Sequence, residues 1–340
     1  MKYCFQLLPH ANFHYREANR TLGLNELSIM LSALEIDVPV SIEEIGGADF
    51  LTFETQNALT DAQLDCLARH SSLLLLCAQE NGLLRPLAAN RAAYLPSDLS
   101  EVLKYKGKTS APFTRMMLNC TLALAGAPEN RLPLVLDPVC GRGTTLFCAL
   151  EMGWDAAGVD IDRIDLREAM TYFDRYCAHH HLKRTLKQSS ETCGKASVPA
   201  ALYTVADTKE HFASGDTRTL RLYNGDTALC DKLLRKTPAD VIVGDLPYGV
   251  QHAPQAGRKA GRKAESFLQL LERALPAWRK ALRPGGAMAL SYNVLTLPRE
   301  KLAAAIEKAG FTVMTGGVYD QFEHFVEQAV RRDVILAVRR

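Results

Sequence analysis

The chain lacks any run of about 18 or more uncharged apolar residues, the usual signature of a transmembrane helix. It lacks a signal-peptide pattern too, because Met1-Lys2-Tyr3-Cys4-Phe5 passes at once into polar Gln6, His10 and Asn12. No internal repeat is visible, and the net charge is only +2. What is present is ordinary for a globular protein: 340 residues, 47% of them apolar and 23% charged. That length suits two domains. It excludes a mainly disordered chain, a collagen-like or coiled-coil fibre and a small disulfide scaffold. Nine cysteines without a leader read as reduced, buried thiols of a cytoplasmic protein with no membrane partner.

The small net charge is a cancellation. Residues 1–100 hold 6 Lys/Arg against 12 Asp/Glu, a balance of −6; by subtraction residues 101–340 hold 34 against 26, a balance of +8. Such asymmetry hints at a polyanionic partner for the basic part.

The first hundred residues read as a small α+β unit. Strand-like runs at 3–8, 38–44 and 50–54 alternate with helical stretches at 15–34 and 60–70, and the apolar run at 73–76 reads as core. A boundary is expected near 94–108, where Pro96-Ser97-Asp98 and the polar Lys104-Tyr105-Lys106-Gly107-Lys108-Thr109 interrupt the pattern. Beyond it, strands alternate with helices, which predicts βαβ units and a parallel sheet. Strands are expected at 134–136, 156–159, 241–243, 287–292, 311–315 and 333–338, and helices at 112–125, 267–282 and 299–309. Residues 183–219 are long, polar and weakly patterned, and read as an insertion.

In an open parallel sheet, ligands bind outside the carboxyl ends of the strands. Three motifs fall there. Asp137-Pro138-Val139-Cys140-Gly141-Arg142-Gly143-Thr144 is a glycine turn between a strand and a helix. It lets backbone approach a ligand, and the helix start offers free N–H groups suited to a carboxylate. No third glycine follows at the dinucleotide-binding spacing, and the Gly-Lys of a Walker loop is absent. Gly158-Val159-Asp160-Ile161-Asp162 ends the next strand about 20 residues on, where an acidic side chain can accept from two ribose hydroxyls. Asp245-Leu246-Pro247-Tyr248-Gly249 is the most specific. A carboxylate and a backbone carbonyl held by proline can accept both hydrogens of a planar amine while Tyr248 stacks on its ring.

A fourth motif, Arg258-Lys259-Ala260-Gly261-Arg262-Lys263, sets four cations soon after Tyr248, well placed for phosphates. Arg331-Arg332 and Arg339-Arg340 read as surface charge. His179-His180-His181 lacks zinc spacing, so no metal is expected. Cys140 could suggest a nucleophile, but transfer to an amine needs no covalent intermediate.

Taken in order, 137–144, 160–162 and 245–249 resemble the amino-directed class I S-adenosylmethionine (SAM) methyltransferases, and most closely the THUMP-associated tRNA guanine-N2 methyltransferases. That family's first turn reads Asp-Pro-x-Cys-Gly-x-Gly-Thr, matched by Asp137, Pro138, Cys140, Gly141, Gly143 and Thr144; its later motif is matched by Asp245 to Gly249. The resemblance covers about residues 104–340. It implies an α/β, Rossmann-like domain with a seven-stranded sheet, behind a ferredoxin-like N-terminal unit of about 1–100 with a reduced or absent THUMP domain. It implies SAM as cofactor, held by Asp137, Cys140, Gly141, Gly143, Thr144, Asp160 and Ile161, with Asp226 and Thr227 at its adenine. Asp245, Leu246, Pro247 and Tyr248 would act on the target amine, and Arg258, Lys259, Arg262 and Lys263 on an RNA partner. Helix 112–125 would close over the cofactor. Because the sulfonium loses its charge in the reaction, no strongly cationic residue is expected beside it. The expected function is methylation of guanosine N2, in tRNA first. The alternatives are rRNA guanine-N2, DNA adenine-N6 or cytosine-N4 methylation, or a non-catalytic RNA-binding module; a nicotinamide oxidoreductase is disfavoured by the missing glycine.

Overall fold

The computed structural model describes residues 1–8, 13–88, 93–105, 108–247 and 267–340. The N-terminal part runs β1 (Lys2–Leu7), α1 (Phe13–Ala33), β2 (Ser41–Ile45), β3 (Ala48–Glu54), α2 (Asp61–Leu67), β4 (Leu73–Glu80) and β5 (Leu83–Pro86). These strands form one antiparallel sheet in the order β2-β3-β1-β4-β5. Tyr3, Phe5 and Leu7 alternate inward from β1 and pack against Leu27, Met30 and Leu31 of α1 and Leu64 and Leu67 of α2. Thr60 caps α2 in a capping box with Gln63. The 73–76 run is only half core: Leu73 and Leu76 are buried, but Leu74 and Leu75 are about 40% exposed. In a strand, neighbouring side chains cannot all face one layer.

After α3 (Leu99–Val102) and α4 (Ala111–Ala125) the larger sheet begins. Its elements are β6 (Leu134–Asp137), α5 (Thr144–Glu151), β7 (Asp155–Asp160), α6 (Arg163–His179), β8 (Lys183–Cys193), β9 (Ala196–Ala206), α7 (Lys209–Ser214) and β10 (Arg218–Asn224). There follow α8 (Cys230–Leu233), β11 (Ala239–Asp245), α9 (Phe267–Ala281), β12 (Leu282–Asn293), α10 (Arg299–Lys308), β13 (Thr312–Val313), β14 (His324–Glu327) and β15 (Val330–Val338). The order is β13-β15-β12-β11-β6-β7-β10-β9-β8, with β14 paired to β15. From β12 through β11, β6 and β7 to β10 the strands are parallel, and β15 lies antiparallel between β12 and β13.

Among the described residues the sheet has ten strands, where seven were expected. The additional ones are β14 and the hairpin β8–β9. The stretch read as an unpatterned insertion is thus mostly sheet, extending the edge beyond β10. Helices cover both faces. Phe113, Met116, Leu146, Phe147 and Phe173 of α4, α5 and α6 share one core; Cys230, Leu271, Trp278, Leu302 and Ile306 of α8, α9 and α10 share the other. Such two-sided cover explains the near-continuous burial of β6, β11 and β12.

The two sheets meet through α1, whose Leu22 and Ile29 join the α4 core. Glu26, fully buried, accepts from Ser71 N at 2.9 Å and from Asn119 Nδ2 at 2.7 Å, and Asn25 Nδ2 donates to the Gln321 carbonyl at 2.8 Å.

Candidate active site

Four adjacent parallel strands end on acidic or amide residues: β6 on Asp137, β7 on Asp160, β10 on Asn224 and β11 on Asp245. The chain between β6 and α5 turns sharply. Gly141 and Gly143 adopt φ of 48° and 86°, which L side chains rarely tolerate. Gly143 caps α5 without a side-chain acceptor, so the helix start keeps its N–H groups for another partner. An added Cβ at Gly141 would meet nothing within 4 Å.

The Gly141 N–H donates to Asp160 Oδ2 at 2.7 Å, tying the turn to the end of β7. Asp160 Oδ1 accepts from the N–H of Asp162 at 2.8 Å, and Asp162 caps α6. A carboxylate has about four acceptor positions, so Asp160 retains capacity for hydroxyls. Burial pushes its carboxyl above the ordinary range, opposed by those two N–H groups. Beside it Ile161 and Ile164 are 45% and 57% exposed, an apolar surface at the mouth of a polar site.

Asp137 is buried, and its Oδ1 accepts from Val139 N at 3.1 Å. Burial pushes its carboxyl up to about 7; the Thr145 hydroxyl and the Val139 N–H pull it down, while the nearby charges of Asp160 and Asp245 add to the rise. Cys140 is buried against Gly158, and burial raises its thiol well above the ordinary value, so it is no ready nucleophile. Thr144 holds the Tyr105 hydroxyl at 3.2 Å, and the Arg142 guanidinium lies 4.8 Å over the Tyr105 ring. Asp226 accepts from Ala228 N at 2.9 Å and pairs with Arg273 at 2.7 Å. Thr227 turns inward, its hydroxyl accepting from Trp278 Nε1 at 2.8 Å.

At the end of β11, the Leu246 N–H donates to the Ser291 carbonyl at 2.8 Å, carrying the β12 ladder one residue past the strand, and the Leu246 side chain is buried. Pro247 is the last described residue there; Tyr248 and the cluster Arg258, Lys259, Arg262 and Lys263 lie outside the described residues. The Thr109 hydroxyl donates to Asp245 Oδ2, and Arg332 Nη2 stands 3.9 Å from the same oxygen.

Thr109 and Arg332 escaped the sequence reading. Thr109 sits in the polar stretch taken for a boundary. Arg332 was read as surface charge, yet it is 4% exposed and packs 4.8 Å over the Phe113 ring. It sets a cation near the end of β11. Its place is set by its register opposite Asn293 on β12, which no local sequence pattern marks.

No helix among the described residues is long and apolar enough to cross a membrane, and no group of metal-ligating side chains is found among them.

No family model matches the chain, and no curated protein matches it in sequence. Among solved structures it is similar to TrmN from Thermus thermophilus, at 18% identity and a TM-score of 0.39 over 89% of this chain and 60% of that one. It is also similar to the T. thermophilus 16S rRNA N2 methyltransferase RsmC in complex with AdoMet and guanosine, at 16% identity and 0.38, over 88% and 58%. A third is the rRNA methyltransferase AviRa from Streptomyces viridochromogenes, at 14% and 0.39, over 71% and 92%. The chain thus spans about three fifths of the length of the first two.

Proposed function

We propose that the chain is a SAM-dependent RNA methyltransferase that methylates the exocyclic N2 of guanosine, in tRNA first. The observation that carries this reading is the acidic rim: Asp137, Asp160 and Asp245 end three adjacent strands around an open glycine turn. Three carboxylates repel the phosphates of a nucleotide or dinucleotide and favour a ligand with cationic centres. SAM fits, carrying an ammonium and a sulfonium, and when bound it supplies a methyl group open to displacement.

The residues divide the work. Asp160 accepts from ribose hydroxyls, Ile161 packs on the adenine, and Asp226 accepts from the adenine amine beside Thr227. Asp137 faces the ammonium, and the backbone of Cys140, Gly141, Gly143 and Thr144 takes the carboxylate at the start of α5. Asp245 and the Leu246 carbonyl accept the two hydrogens of the target amine, which aims the nitrogen lone pair at the methyl carbon. Pro247 holds that carbonyl and Tyr248 stacks on the base, which must leave paired RNA to arrive there. Rate then comes chiefly from positioning. The N-terminal β-α-β-β-α-β unit, with strand order β2-β3-β1-β4, supports a ferredoxin-like reading of residues 1–100 and a catalytic domain at 104–340.

The test is transfer of label from SAM to tRNA and rRNA lacking the modification, read by nucleoside mass spectrometry as N2-methylguanosine. Asp245→Ala should abolish transfer while SAM binding persists. No transfer to any RNA pool would sink the enzymatic reading, and transfer to rRNA or DNA alone would replace the substrate.

A further inference from the structure

The hairpin β8–β9 carries more charge than its edge position requires. Residues 183–206 hold Lys183, Arg184, Lys187 and Lys195 against Glu191 alone, and residues 230–236 add Lys232, Arg235 and Lys236 against Asp231. Arg184 is neutralised by Asp174 at 2.7 Å. Among the described residues, the other six and Arg221 of β10 form no ion pair. The contrast with the catalytic core is plain, for there Arg115, Arg142, Arg218 and Arg299 all hold carboxylates at 2.9 Å or less.

Register gathers three of these cations onto one face, with Glu191 farther along the same side of β8. Lys187 pairs with Leu202 and Leu202 with Arg221, so the three share a row, and Lys183 lies on the same side four residues along β8. Val198, on the same side of β9 as Leu202, packs in one core with Cys230 and Leu234, which identifies this as the α8 face. Lys232 completes it: its Nζ lies 3.7 Å from where a Cβ on Gly194 would stand, at the hairpin turn.

The hairpin also points the right way. Tyr223 pairs with Ala200, so the residues from 199 back to the turn at 194 run on past the end of β10. They project beyond the carboxyl edge, on the side where Asp160 and Asp226 lie, and a Cβ on Gly225 would stand 2.9 Å from Val198. Thr185 and Ser189, on the same side of β8 as Lys187, are exposed and supply hydroxyls.

We propose that the α8 face of this hairpin is an RNA-backbone surface, on which Lys187, Arg221 and Lys232 hold phosphates while the base enters the carboxylate-lined site. The proposal rests on the RNA methyltransferase reading and names the surface that reading needs, since the N-terminal unit carries a balance of −6. Unpaired cations beside hydroxyls suit phosphate, which gives affinity and register without base specificity.

The test measures binding of fluorescently labelled bulk tRNA to the full chain across a salt series. Lys187→Ala, Arg221→Ala and Lys232→Ala together should weaken binding at least tenfold and lower the slope of log affinity against log salt by about two. The control triple Lys280→Ala, Lys301→Ala and Lys308→Ala should change neither, and SAM binding by calorimetry should be the same in all three proteins. An unchanged slope in the first triple overturns the proposal, as does wild-type protein that binds no RNA. Calorimetry judges the underlying reading separately: failure to bind SAM refutes the cofactor, whatever the salt series shows for the surface.

Discussion

Asp137→Asn separates the cost of a buried carboxyl from its use. In the folded chain this group titrates at about 7 instead of the ordinary 3.8, chiefly because burial disfavours its charge. Between those values the folded protein holds a proton that the unfolded chain has released, so rising pH drains stability across that window and leaves a constant deficit above it. A shift of about three units is worth roughly 4 kcal/mol at most, at about 1.4 kcal/mol per unit. Asparagine keeps the Val139 N–H acceptor and can donate to the Thr145 hydroxyl. With a repacking loss of about 2 kcal/mol at every pH, it should therefore gain about 2 kcal/mol at pH 8 and lose about 1–2 kcal/mol at pH 4. Urea denaturation of both proteins without ligand, from pH 4 to 8, gives the difference directly. SAM binding should move oppositely: asparagine cannot face an ammonium as a charge, and wild-type affinity should rise as pH climbs through 7. An asparagine variant no more stable than wild type at pH 8, or a difference that does not change with pH, would refute the assignment.

Gly158→Ala should cost about 1–3 kcal/mol in thermal or chemical denaturation and weaken SAM binding. Its Cβ would stand 2.5 Å from Leu146 Cδ1 and 2.7 Å from Cys140 Sγ, forcing the glycine turn off β7. Ile161→Ser with Ile164→Ser should leave stability within about 0.5 kcal/mol, as exposed positions do, while SAM affinity measured by calorimetry falls on the order of tenfold; unchanged affinity would remove the adenine from that surface.

Local signals were legible where they act locally. The glycine turn, the acid ending β7 and the proline-held end of β11 each depend on neighbours within a few residues, and the structure sets them on adjacent strands. Central strands buried on both faces announce themselves as apolar runs, as Val241, Ile242 and Val243 do. The hairpin could not. Thr185 to Thr192 of β8 are exposed throughout, so an edge strand with no layer over it shows no apolar alternation. β9 is paired along its whole length with β8, and its buried alternation through Ala201, Tyr203 and Val205 is blurred by apolar Ala200, Leu202 and Ala206 between and beside them.

By itself the sequence determined the alternating α/β rhythm, the three strand-end motifs and the uneven charge of the two parts. These rest on backbone conformation and on composition, which need no distant partner. Tertiary structure alone decided that Thr109 reaches Asp245 across 136 residues, that Arg332 is buried against Phe113, and that Lys183 and Lys187 of β8 share one side of the sheet with Arg221 of β10. Each of these is a contact between segments far apart in the chain. Only sheet order and register set such distances, and neither is written in any local pattern.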